Sequence, residues 1–505
     1  MTFKTFTYQA RLSSYGEKET ALEDCAALLS RVERTLLAEV SSGKKIGDCK
    51  SSYLTRFGIT ARQFNGCRAQ LEGKIASQKE LRSLHIKDLE DKLARLKEKI
   101  PKIKNPATAH QKKRRLTSLV HKLDRLLKDQ ETNTARLCFG SKKLFRAQFA
   151  LEENGYDSHE AWLQEWQRAR NSAFFCLGSK DEAMGNQTCS VFLEEDGKWT
   201  LRLRLPDSLS QVHGKYLIIE GIEFSYGKEV IEAALQSNAQ RARLAKLKDP
   251  SYVQFGQSIS YRFLKDAKGW KIFLTTDLTQ PLVVTKEGIG VIGVDLNADH
   301  LAVVETDRFG NPIQHRSIAL VTYGKSKHQS LAVIGDAVAE LVTWSMQTKK
   351  PIVLEKLDFA RKKRDLSETN NPRYARMLSS FVYKTTNTYI QSRAFRFGVQ
   401  VKEVHPAYTS LIGRVKFSTQ YGLTIHEGAA LAIARRSVGV SERLPLRLVK
   451  IPDGKSSHLT LSLPARNRDE HVWKSWRQVQ KELKVALAAH FRAKQHRSSS
   501  RAPPS

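Results

Sequence analysis

The chain opens on a period-two alternation: Met1 to Tyr8 is patterned as a β-strand and has no apolar run of the kind a signal peptide needs. Further along the period lengthens. From about Ala76 to Ile100 and from Ala109 to Gln130 the apolar residues fall at helical spacing, and Pro101 and Pro106 interrupt the chain between them, which predicts an antiparallel helical hairpin. At about Gln187 the period returns to two. One hairpin is expected from Val191 to Leu203 around Asp196-Gly197 and another from Ile259 to Leu274 around residues 265–269, with a helix from Ala233 to Lys248 between them. A final block runs strand, strand, strand, helix, strand. Its strands are Gly290 to Asn297, Leu301 to Thr306, Pro312 to Leu320 and Pro351 to Glu355, with a turn at Asp307 to Asn311. The helix spans about Lys325 to Thr348, and Leu331, Ile334, Val338, Leu341 and Val342 make its buried face.

Two of those apolar strands end in an acid, Asp295 in the first and Glu355 in the fourth. Ending a buried β-branched run in a carboxylate is costly unless a cation or polar partner meets it. With this element order the two acids become neighbours, as in an RNase H-like core that holds divalent metal for phosphodiester chemistry. Asp299 and Asp358 read as turn residues that could support the ligands.

The segments Gly293-Val294-Asp295-Leu296-Asn297, Leu354-Glu355-Lys356-Leu357-Asp358-Phe359 and His405-Pro406-Ala407-Tyr408-Thr409-Ser410 resemble the three RuvC segments of the OrfB/TnpB proteins of insertion sequences, relatives of type V CRISPR effectors. The likeness covers about Gly288 to Val438, and Phe57 to Asn65 is similar to the family's early helical region. It implies a multidomain α+β protein. A first strand (1–12) and residues 186–287 would build a small wedge-like β-barrel, 13–185 a helical lobe, 288–490 the RuvC nuclease core, and 491–505 a disordered basic tail. In that family the barrel grips a guide RNA. The resemblance therefore implies guide RNA and target DNA as partners, Mg2+ or Mn2+ as cofactor, and a transposase encoded by the same element as a further partner.

The chain also departs from the family. Family members carry a four-cysteine zinc ribbon after the Thr-Ser; no cysteine follows Ser410 here, so no zinc is expected. Where the family has a third acid, this chain reads Thr424-Ile425-His426-Glu427-Gly428-Ala429-Ala430. His426 is then an atypical third metal ligand, or a sign of a site that has lost its chemistry. Glu427 is a substitute catalytic acid, or the closing residue of a capping box with Thr424.

Charge points to the same class of partner. Lys plus Arg number 84 against 52 Asp plus Glu, a net charge of +32, which concentrates polyanions at the surface. Candidate nucleic-acid contacts are Lys112, Lys113, Arg114 and Arg115 in the second helix of the hairpin, Lys142 and Lys143 beyond it, and Arg202 and Arg204 on one strand face. Arg361, Lys362 and Lys363 follow Glu355, and Arg435 and Arg436 share a helix with His426. Six cysteines without a CxxC pair indicate a reducing compartment, and no stretch approaches the roughly 20 apolar residues of a membrane span. The expected setting is bacterial cytoplasm, at the nucleoid. Three readings remain open: an RNA-guided metal-dependent DNA endonuclease, a nuclease-inactive RNA-guided DNA binder or repressor, and a transposase.

Overall fold

The computed structural model describes residues 3–13, 16–356, 380–445, 448–452, 458–465 and 469–499. The chain divides into two compact units, one from Phe3 to Leu278 and one from Thr279 to the C-terminal end.

In the first unit the helical hairpin forms as expected, but its first helix starts well before Ala76. It runs Ala61–Lys99 from a capping box in which the Thr60 hydroxyl accepts from Gln63 N and the Gln63 side chain accepts from Thr60 N. Phe64, Cys67 and Leu71 carry the buried stripe through that early part, where interleaved Arg68, Gln70 and Glu72 dilute the apolar signal. The returning helix Pro106–Glu131 is capped by Asn105. Arg82, buried in the first helix, ties the hairpin shut by donating to the Asp129 and Thr134 carbonyls at the far end of the second.

The strands expected to close one barrel are shared between two sheets. One has the order β1 (Phe3–Arg11), β7 (Gly269–Thr279), β6 (Ser260–Asp266), β2 (Ala173–Cys176), and the other is β3 (Cys189–Leu193), β4 (Trp199–Arg204), β5 (Tyr216–Ile222). Among the described residues no hydrogen-bonded ladder joins them. Each sheet has its own buried row, Tyr261, Phe263, Trp270, Ile272 and Leu274 in the first and Trp199, Leu201, Leu203, Leu217 and Ile219 in the second. β2 lies inside the stretch read as purely helical. The helix between the hairpins runs Lys228–Lys246.

The second unit is built on a five-stranded sheet in the order β10 (Pro312–Ala319), β9 (His300–Thr306), β8 (Ile292–Leu296), β11 (Ile352–Glu355), β12 (Val401–Val404). The first three strands are antiparallel neighbours, whereas β11 runs parallel to both β8 and β12. This is the expected order of strands with a fifth added. One face packs on helices Lys327–Thr348 and Ser380–Arg396 through Ile334, Val338, Leu341, Ile390 and Ala394. The other packs on helix Ile425–Ser437, whose Ala430, Leu431, Ile433 and Ala434 are fully buried. That second helix lies very close. A Cβ on Gly293 of β8 would sit 2.1 Å from the Ala430 carbonyl oxygen, so only glycine fits there. At the end of the Lys327–Thr348 helix, buried Lys350 donates to Glu305 of β9 at 2.6 Å and to the Thr306 carbonyl at 2.8 Å, while Trp344 Nε1 donates to Glu305 at 3.1 Å. Residues 491–499, expected to be disordered, continue the helix Val472–Ser499; no helix in the described residues is long and apolar enough to cross a membrane.

Candidate active site

Asp295 and Glu355 lie where neighbouring parallel strands end. The register pairs Ile352 with Ile292 and Val353 with Gly293, so each acid stands two residues past a matched pair. Side chains two apart on a strand share a face. Here that face is the one covered by helix Ile425–Ser437, since Val353 packs with Ile433 and Ala434.

Asp295 is buried, with 8% of its surface exposed. Its Oδ2 accepts from Asn297 Nδ2 at 3.1 Å and from His426 Nδ1 at 3.2 Å. His426 is the second residue of the capped helix, which lies flush on Gly293 and so reaches the acid next to it. The hydrogen bond to Asp295 raises the imidazole above its ordinary value, against the effect of burial. The His300 ring meets His426 edge-on at 5.1 Å, and His300 Nδ1 is 2.7 Å from Asp299. Glu355 accepts a hydrogen bond from the Thr409 hydroxyl.

Glu427 sits one residue further and is engaged elsewhere. Its Oε2 accepts from Thr424 N at 3.0 Å and from the Thr424 hydroxyl at 2.8 Å, completing the capping box. His315 of β10 is 2.8 Å from its Oε1. Burial pushes the carboxyl up, but the His315 and Thr424 hydrogen bonds outweigh it and leave it below its ordinary value. The sequence left cap and catalysis open for Glu427; its carboxylate is occupied by the cap and by His315.

Two carboxylates at adjacent strand ends are hard oxygen donors and fit a divalent cation. A three-residue ligand set is not assembled: among the described residues no three His, Cys, Asp or Glu side chains gather to hold a metal. His426, expected as a third ligand, is placed as the hydrogen-bond partner of Asp295.

The expected nucleic-acid contacts are scattered. Lys113, Arg114 and Arg115 are exposed on helix Pro106–Glu131, with Lys112 half-buried, and Lys142 and Lys143 are exposed. Arg202 is exposed between the Phe192 and Tyr216 rings, at 5.3 and 5.5 Å from their centroids, while Arg204 pairs with Asp207 at 3.1 Å. Arg435 binds Glu442 and the Gly310 carbonyl, and Arg436 clasps the His405 and Ala407 carbonyls, so both serve the protein's own loops. Asp358, Arg361, Lys362 and Lys363 lie outside the described residues. Sequence reading missed His315 and the Thr409 hydroxyl as partners of the acids. Thr409 stands in the third RuvC-like segment, and His315 pairs in register with Val304, which pairs with Gly293; that cross-strand row was the available signal.

No family model matches the chain, and no curated protein matches it. Among solved structures it is similar to T. thermophilus RuvC in complex with a Holliday junction substrate, at 15% identity over 29% of this chain and 90% of that one, with a TM-score of 0.22. It is similar to a CRISPR-Cas12f ternary complex at 12% identity over 85% of this chain and 98% of that one, TM-score 0.21. A Cas12i1 R-loop complex before target DNA cleavage matches at 8% identity over 72% and 61%, TM-score 0.30. Likenesses this distant assign neither an activity nor a partner to the chain.

Proposed function

We propose that this chain is a TnpB-like, transposon-associated DNA endonuclease guided by RNA, with its phosphodiester chemistry at Asp295 and Glu355. The observation that carries the reading is the placement of these two acids on the same face at the ends of adjacent parallel strands. They would hold a divalent ion, Mg2+ or Mn2+, whose positive charge would stabilise the negative charge that develops in phosphodiester hydrolysis. Asn297 and His426 fix the Asp295 carboxylate by hydrogen bonds, and Thr409 fixes Glu355. Carboxylates oriented in this way lose little freedom when a cation arrives. The guide RNA, the DNA target and the bacterial setting come from the resemblance of the three RuvC-like segments.

The experiment is cleavage of guided duplex by protein purified with its RNA. Asp295→Ala and Glu355→Ala should each cut at least about a hundredfold more slowly than wild type, the scale of several kcal/mol of charge stabilisation, and should retain their RNA. His426→Ala should lose roughly ten- to a hundredfold, as expected for a residue that orients a ligand. One observation favours the binder reading: the third position is His426, an imidazole hydrogen-bonded to Asp295 and not a third carboxylate. Tight guided binding by wild type, with cutting no faster than in either alanine variant at high manganese, would establish that reading and end the nuclease one.

A further inference from the structure

The first unit contains a cleft of about 730 Å3 separate from the Asp295–Glu355 site. Its walls are helix Glu17–Ser41, the helical hairpin, the segment 136–146 and helix His159–Arg170. The lining is one-sided. Arg34, Arg125, Arg136, Lys142, Arg146 and Arg170 line it against a single carboxylate, Asp129, among the described residues. That carboxylate is held by Arg136, with Nη2 at 2.9 Å. Arg34 and Arg170 stand close enough that burial first, and the Arg170 guanidinium next, hold Arg34 below its usual value. Cations gathered against their own repulsion in a half-closed space are poised for an anion.

The other component of the wall is aromatic. Phe139, Phe145 and Trp166 line the same cleft. Trp166 stacks on Trp162 at 5.2 Å and 18°, and the Arg170 guanidinium lies over the Trp166 ring at 4.5 Å. Phe145, 5.6 Å from Trp166, is 40% exposed. Flat rings and a flat guanidinium beside a cluster of cations match the two halves of a nucleotide, an unpaired base and a phosphate. The volume lies within the range of small-ligand sites. A paired duplex hides its bases and offers only phosphates to such a wall.

We propose that this cleft binds a nucleotide whose base is unstacked, with the base against Phe145 and the aromatic wall and the phosphate on Arg146, Lys142 and Arg170. The proposal rests on the reading of the chain as a nucleic-acid protein, not on its cleaving anything.

The test is photo-crosslinking and binding with the full chain. Single-stranded RNA and DNA carrying 5-iodouracil, and the free 5-iodouridine monophosphate, are irradiated with the protein and the attached peptides are mapped. Adducts at Phe139, Phe145 or Trp166 support the site. Attachment from strands alone identifies a nucleotide within a chain, and attachment from the monophosphate as well identifies a free nucleotide as sufficient. Phe145→Leu keeps the apolar bulk and removes the ring. It should weaken single-strand binding roughly five- to 150-fold, the range for one stacked base, and leave a blunt duplex of the same length unaffected. Arg146→Gln should weaken both and lower the salt slope by about one. Equal loss for strand and duplex in Phe145→Leu, or adducts only outside the aromatic wall, overturns the proposal while the nucleic-acid reading stands. Failure of the wild-type chain to bind any strand overturns both.

Discussion

At the scale of single residues, adjacent side chains turn to different partners. His426 turns towards Asp295, and Glu427 turns back to cap its own helix and meet His315. The division can be tested through pH. Glu427 has a folded-state value below its ordinary one, so its ionised form stabilises the fold above about pH 4.5 and that contribution disappears as pH falls through the lower folded value. Glu427→Gln can still close the capping box but carries no charge. Urea unfolding should find it less stable than wild type at pH 7, with the difference closing as the pH is lowered towards 3. Glu427→Ala should cost about 1 kcal/mol more at both pH values, because the cap is lost as well. A variant as stable as wild type at pH 7 but dead in cleavage would return Glu427 to the catalytic set.

At the scale of elements, the buried Lys350–Glu305 pair shows how the sheet is fastened to the helix that leads into β11. Both groups are less than a tenth exposed and both have further partners in Trp344 and the Thr306 carbonyl. Removing one partner strands the other's charge, so Lys350→Met should lose about 3–5 kcal/mol in denaturant unfolding, whereas the double replacement with Glu305→Leu should recover most of it. The elements also mark what the sequence made legible. The β8–β9–β10–helix–β11 order could be read because β8, β9 and β11 are apolar runs, the turn at Asp307 to Asn311 leads the chain back into the more polar β10, and the helix has a clean stripe at 334, 338, 341 and 342. The division of the expected barrel into two sheets could not, because strand pairing depends on partners distant in the chain: β1 pairs with β7 across most of the first unit. Asp295 and Glu355 were visible as acids ending apolar runs. The direction of His426 was not, because it depends on how closely a helix settles on Gly293.

At the scale of the whole molecule the charge sets what the proposed nucleic-acid binding should look like. A net +32 draws a polyanion through phosphate contacts that release counterions, so raising salt from about 50 to 200 mM should cut nucleic-acid affinity by roughly three orders of magnitude or more for six to ten contacts. A flat response in an anisotropy titration would rule out backbone contacts as the main source of affinity. The register of the central sheet has a consequence of another kind, for how chain length can vary. Asp295 and Glu355 face the same way because each is the same number of residues past a paired position. One residue added to β11 ahead of Glu355 would swing that acid through the sheet into the apolar layer on the opposite side. One residue added after Lys356 leaves both acids where they are. Length variation should therefore be tolerated downstream of the site and forbidden within the three β11 residues that lead up to Glu355, and a scan of single-alanine insertions across 352–356 would show that boundary as an abrupt step in cleavage.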